Sequence, residues 1–113
     1  MDKLTQASLL YDFYGNLLPE KQGELYQLHY EDNYSFAEIA EDLGITRQGV
    51  HDFIRRAEKS LRDYEEKLGL VAASLEREAV FEELENALNA LESEDPGMAD
   101  KLAKIRQLTE RLL

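Results

Sequence analysis

A chain of 113 residues is long enough for one domain's core and little more, and having no cysteine it can form no disulfide, thiolate metal site or cysteine nucleophile. No apolar run approaches the roughly eighteen residues of a spanning helix. The opening Met1-Asp-Lys-Leu-Thr-Gln6 has no basic segment leading into an apolar one, so a cytoplasmic protein with no membrane part is expected. The formal charge of −11 opposes non-specific attraction to nucleic acid, but it is unevenly placed. Residues 46–62 are net +3, whereas residues 1–45 and 63–113 are net −7 each.

In chain order, a first helix is predicted from about Asp2 to Tyr14, with Leu10, Tyr11, Tyr14, Leu4 and Ala7 facing inward and Gly15-Asn16 ending it. Pro19 suits the first turn of a second helix, which carries Leu25 and Leu28 to about Tyr30 and breaks at Glu31-Asp32-Asn33. Ser35 followed by Glu38 is a capping box that starts a short third helix at Phe36. Its apolar residues Phe36, Ile39, Ala40 and Leu43 recur at helical spacing, and Gly44 supplies a left-handed stop. Thr46 offers a hydroxyl to cap a fourth helix, on which Val50, Phe53, Ile54, Ala57, Leu61, Tyr64 and Leu68 form the inward stripe. Unbroken to Leu68, that helix is about 33 Å long and projects beyond a three-helix core. Beyond it, Leu75, Phe81, Leu84, Leu88 and Leu91 form a narrow seam on a Glu-rich helix. Asp95-Pro96-Gly97 breaks the helix, and Leu102, Ile105, Leu108 and Leu112 form a second seam. Spacing does not say whether helix four or a partner fills these stripes.

These elements predict an all-α fold in two parts: residues 1–69 as a helix-turn-helix domain, with the motif at about 35–62, and residues 70–113 as an acidic helical extension. A tight turn between two such helices is the geometry that lowers a helix into the major groove of DNA. With the stripe inward, the helical period turns Arg47, Gln48, His51, Arg55, Lys59 and Arg62 to solvent. Arg and Gln are suited to guanine and adenine edges, and Arg56, Lys59 and Arg62 suit phosphates. With Thr46, these residues are the candidate nucleic-acid contacts. The competing reading is a solvated helix whose charges pair locally, as Arg62 with Glu66, Asp63 with Lys67 and Arg55 with Glu58. Five cations are a modest set against an acidic body that repels phosphate over roughly 8 Å. This favours a dimer, or a carrier already holding the nucleic acid, over a lone monomer.

No catalytic, metal or cofactor site is expected. His29 reads as a half-buried structural residue and His51 as a surface or groove residue, and neither has metal-ligand or triad spacing. No glycine loop is followed by Lys-Ser or Lys-Thr to cradle phosphates. Tyr11, Tyr14, Tyr30 and Tyr34 lie in the acidic part, where a core role outweighs a stacking platform.

The runs Leu18-Pro-Glu-Lys-Gln22 and Tyr34 to Val50 resemble region 4 of bacterial sigma factors, the module that reads the promoter −35 element. The whole chain, from Leu10-Tyr-Asp-Phe-Tyr14 through Gln48-Gly-Val-His-Asp-Phe-Ile-Arg-Arg-Ala57 to the acidic tail, resembles the YlxM family of small bacterial helix-turn-helix proteins. That resemblance implies a non-enzymatic protein encoded beside genes of the signal recognition particle GTPase, acting in that targeting pathway on the particle RNA, its GTPase or both. The sigma-like likeness implies DNA contacts at Arg47, Gln48, His51 and Arg55. A sequence-specific DNA-binding regulator acting as a homodimer is the alternative.

Overall fold

In the computed structural model, which describes residues 1–113, Asp2 starts the first helix by accepting the backbone N–H of Thr5 at 2.7 Å. The chain then forms six α-helices: α1 (Lys3–Tyr14), α2 (Glu20–Tyr30), α3 (Phe36–Leu43), α4 (Arg47–Leu68), α5 (Leu70–Glu94) and α6 (Ala99–Glu110). Short 3₁₀ turns occupy Gly15–Leu17 and Pro96–Met98, and there is no strand. The all-α expectation holds. Contacts group the chain into two units, Met1–Val71 and Ala72–Leu113.

In the first unit the core is built where α2, α3 and α4 meet. Leu25, Ile39, Ala40, Val50 and Ile54 are buried together, flanked by half-buried Leu28, Phe36, Leu43, Ile45 and Phe53. On α4 the buried residues are Val50, Ile54, Ala57 and Leu61, steps of four, three and four that keep one face inward. The predicted stripe is too long at its end, because Leu68 is 55% exposed in the last turn before Gly69. Gly69 is left-handed at φ 61°, so the helix stops there. Nor does the second half of α4 stand free of the core. Tyr64 stacks on Tyr14 of α1, with ring centroids 5.8 Å apart.

Helix α1 buries Ala7 and Tyr14 and holds Leu10 and Tyr11 half-buried, but Leu4 in its first turn is 59% exposed, at the edge of the buried stripe. The aromatic cluster runs further than expected. Tyr26 is fully buried, stacks on Tyr11 at 5.6 Å, meets Tyr30 at 4.6 Å and donates its hydroxyl to the Ala7 carbonyl at 2.9 Å. Burying such rings stabilises the unit by about 1.5–3 kcal/mol each, and the hydroxyls are satisfied, so burial carries no unpaired polar cost.

In the second unit Leu88 and Leu102 are the buried apolar residues beyond Val71, while Leu91, Ile105, Leu108 and Leu112 remain exposed. Arg106 ties α6 to α5, donating to Glu85 at 3.0 Å, to Glu92 at 2.9 Å and to Asn89 at 2.7 Å. Asp95 accepts the Gly97 N–H at 3.2 Å in the turn between the two helices. No helix of the chain is long and apolar enough to cross a membrane.

Candidate nucleic-acid interface

Local caps set the angle between α3 and α4. Ser35 Oγ accepts the Glu38 N–H at 3.1 Å, and Glu38 Oε1 accepts the Ser35 N–H at 3.2 Å, so the capping box is complete. Gly44 ends α3 in the left-handed region at φ 67°, where a side chain would be strained. The Ile45 N–H returns to the Ala40 carbonyl at 3.1 Å. Two residues after Gly44, Thr46 Oγ1 accepts the Gly49 N–H at 2.9 Å and opens α4. The Thr46 oxygen is thus committed to the helix, and only its hydroxyl hydrogen remains to meet a phosphate.

Along α4 the candidate contacts fall on the exposed side, except His51, which is half-buried where its spacing predicts a solvent-facing residue. Arg47, Gln48, Arg55, Arg56, Lys59 and Arg62 are all exposed, and Asp52, Arg55, Arg56, Lys59 and Arg62 line one shallow groove. A second recess, between the starts of α3 and α4, is lined by Phe36, Ala37, Arg47, Gln48 and His51. The local pairs expected from spacing are absent at Arg62, Lys67 and Arg55. The single ion pair on this helix joins Lys59 Nζ to Asp63 at 2.9 Å, and that hydrogen bond holds the Asp63 carboxyl below its ordinary range. Glu58 Oε1 instead accepts the Tyr30 hydroxyl at 2.5 Å, and no ion pair joins Glu58 to Arg55. Arg47, Arg55, Arg56 and Arg62 therefore present unpaired guanidinium groups, whereas Lys59 is partly neutralised.

The two histidines differ in role. His29 is half-buried and its Nδ1 lies 2.8 Å from the Tyr34 carbonyl, an oxygen that only accepts, so Nδ1 carries the proton. Its ring also packs on Phe36 at 4.6 Å, which makes it part of the frame. His51 is also half-buried, edge-on to Phe36 at 5.7 Å, and its Nδ1 is buried without a partner. Any contact from His51 to a ligand goes through Nε2. No group of three or more His, Asp or Glu side chains comes together as a metal site.

A family model described as "Putative helix-turn-helix protein, YlxM / p13 like" (UPF0122) matches residues 1–101. The chain belongs to this family. Among its YlxM-like relatives, the UPF0122 protein YofM of Lactococcus lactis is 41% identical over 110 residues, covering 97% of this chain and 96% of that one. A UPF0122 protein of Listeria welshimeri is 39% identical over 107 residues, covering 95% and 97%. One from Symbiobacterium thermophilum is 45% identical over 89 residues, covering 79% and 83%. The YlxM-like match takes in the capped motif, all of α4 and the beginning of α6.

One polar contact on this face was not singled out by sequence reasoning. Gln48 Nε2 donates to Asp52 Oδ1 at 3.0 Å, a spacing of four that is legible on any helix but that carries no functional label by itself.

Proposed function

We propose that the protein is a non-enzymatic regulatory or accessory protein of the signal recognition particle pathway that engages nucleic acid through the exposed face of α4. The observation carrying the nucleic-acid part is the row Arg47, Arg55, Arg56 and Arg62, unpaired on the second helix of a capped helix-turn-helix in a chain of net charge −11. Local pairing would have neutralised a merely solvated face. Arg47, Gln48 and His51 lie in the first turns, where a recognition helix meets base edges, and Arg55, Arg56, Lys59 and Arg62 follow as phosphate contacts.

The pathway part rests on the resemblance to the YlxM family. Its partners are the particle RNA, the particle GTPase or both, with the acidic segments that precede and follow α4 in the sequence complementing a basic domain of the GTPase. Any effect on GTP turnover then acts by biasing a conformation of that partner. Affinity capture from bacterial extract is expected to retain the particle RNA or the GTPase, and repeated capture lacking both overturns the pathway assignment.

A second reading, a sequence-specific DNA-binding regulator acting as a homodimer, is favoured by Arg47 and Gln48 in the first turn of α4, and the four unpaired arginines along the helix in each copy give a stronger electrostatic set when doubled. Sedimentation of the protein alone and with duplex DNA tests it. A monomer in both states removes this reading.

A further inference from the structure

Gln48 and Asp52 stand one turn apart on the face of α4 assigned above to nucleic acid, and Gln48 Nε2 donates to Asp52 Oδ1 at 3.0 Å. A carboxylate only accepts, so the amide has one orientation in this pair, nitrogen toward Asp52. One amide hydrogen is engaged; the second hydrogen and Oε1 have no partner within the chain. A single donor beside a single acceptor complements adenine in the major groove, which offers the N7 acceptor and the N6 amino donor. Guanine offers two acceptors there, N7 and O6, and calls for two donors.

Asp52 itself is half-buried in the groove it shares with Arg55, Arg56, Lys59 and Arg62, and it forms an ion pair with none of them. Its carboxylate is therefore a fixed negative charge among the groups that would meet phosphates. Beside Gln48, Phe36 and Ala37 give the neighbouring recess an apolar wall, which suits the methyl group of a thymine.

We infer that Asp52 is a specificity-determining positioning residue: by fixing the Gln48 amide it makes α4 favour adenine over guanine in duplex DNA, while its own charge lowers affinity for every sequence. The inference rests on binding of duplex DNA by α4, the second reading given above.

The test uses the full chain as wild type, Gln48→Ala, Asp52→Ala and Asp52→Asn, with a site selected from a randomised duplex pool and adenine or guanine then placed at each position. Wild type is expected to favour adenine by about 5- to 140-fold at one position, and Gln48→Ala to erase that preference. Asp52→Ala should bring the preference toward unity. Asp52→Asn should keep it, because the carboxamide oxygen still accepts from Gln48, and both Asp52 variants should bind all duplexes more tightly. Circular dichroism confirms that each variant is folded. Full preference retained in Asp52→Ala, preference unaffected by Gln48→Ala, or a guanine preference in wild type each overturns the inference while leaving duplex binding intact. Absence of duplex binding by wild type at low salt, or binding of RNA alone, instead removes the duplex reading on which the inference stands.

Discussion

Tyr14 Oη donates a 2.6 Å hydrogen bond to Glu65 Oε1 across fifty-one residues, and the same hydroxyl accepts the Leu70 N–H at 3.0 Å. Glu65 Oε1 also accepts the Val71 N–H at 2.9 Å, so one tyrosine and one glutamate close the turn that follows α4. Replacing Tyr14 with Phe keeps the ring against Tyr64 and removes only this hydroxyl. The expected result is a Tm lower by about 4–8 °C, with faster hydrogen exchange at the Leu70 and Val71 amides. An unchanged melt with unchanged exchange would show that the hydroxyl contributes nothing.

Three tyrosines make stability fall in alkali. Burial raises Tyr26 and Tyr30 above the ordinary tyrosine value of 10.0, with the hydrogen bond to Glu58 adding to the shift at Tyr30; Tyr14 moves the same way, by burial and then Glu65. The unfolded chain therefore loses these protons first. The stabilisation is fully present below about pH 10 and is lost as pH rises above it. Urea midpoints measured from pH 8 to pH 11 should be level up to about pH 10 and then decline, less steeply in Tyr30→Phe. A level profile through pH 11 contradicts this.

Burial separates two leucines that look alike in sequence. Leu61 is fully buried and Leu68 is 55% exposed, although both continue the α4 stripe. Leu61→Ala should cost about 2–5 kcal/mol, a large share of the stability of a small unit, while Leu68→Ala should stay within about 0.5 kcal/mol. Denaturant titrations decide it, and equal losses at the two positions would refute the packing described.

In the second unit, Arg106 donates to three side chains of α5. Arg106→Met keeps the apolar stem and removes the fork. Amide protection across residues 99–110 should fall, and so should resistance to limited proteolysis there. Unaltered protection would mean that Leu102 and its neighbours hold α6 without the arginine.

The helix-turn-helix was legible because its determinants are local. Ser35 and Glu38 lie three residues apart, Gly44 needs only its own backbone, and Thr46 caps within one turn. What the sequence hid is long-range. Glu58 looked like a partner for Arg55, yet its hydrogen bond goes to Tyr30 twenty-eight residues away, and Arg55 forms no ion pair. The contact between Tyr14 and Glu65 likewise has no sequence signature, since neither residue departs from its helix's ordinary pattern. The seams on α5 and α6 showed which residues share a stripe, but spacing does not carry the identity of what covers them. At the interface, charge and spacing gave the exposed cations; the Lys59 pair and the Asp52 contact required side-chain geometry.

Base reading and phosphate contact can be separated on α4. Arg47→Ala should reduce discrimination between sequences by about 1–3 kcal/mol, whereas Lys59→Ala should weaken every sequence alike and only slightly, because Lys59 is already paired with Asp63. Competition titrations with specific and scrambled duplexes check both. Equal, sequence-blind losses would remove Arg47 as a base reader.

The most direct measurement is binding of the purified protein to labelled signal recognition particle RNA, to the particle GTPase and to random duplex DNA over a salt series, beside a variant with Arg55, Arg56 and Arg62 all changed to Ala. The expected result is binding to nucleic acid whose affinity falls log-linearly with salt, with a slope of about −3 to −4.5 for four or five phosphate contacts, and loss of most of that slope in the triple variant. No binding to RNA or DNA at low salt, or a slope unchanged by the three substitutions, would contradict nucleic-acid recognition by α4.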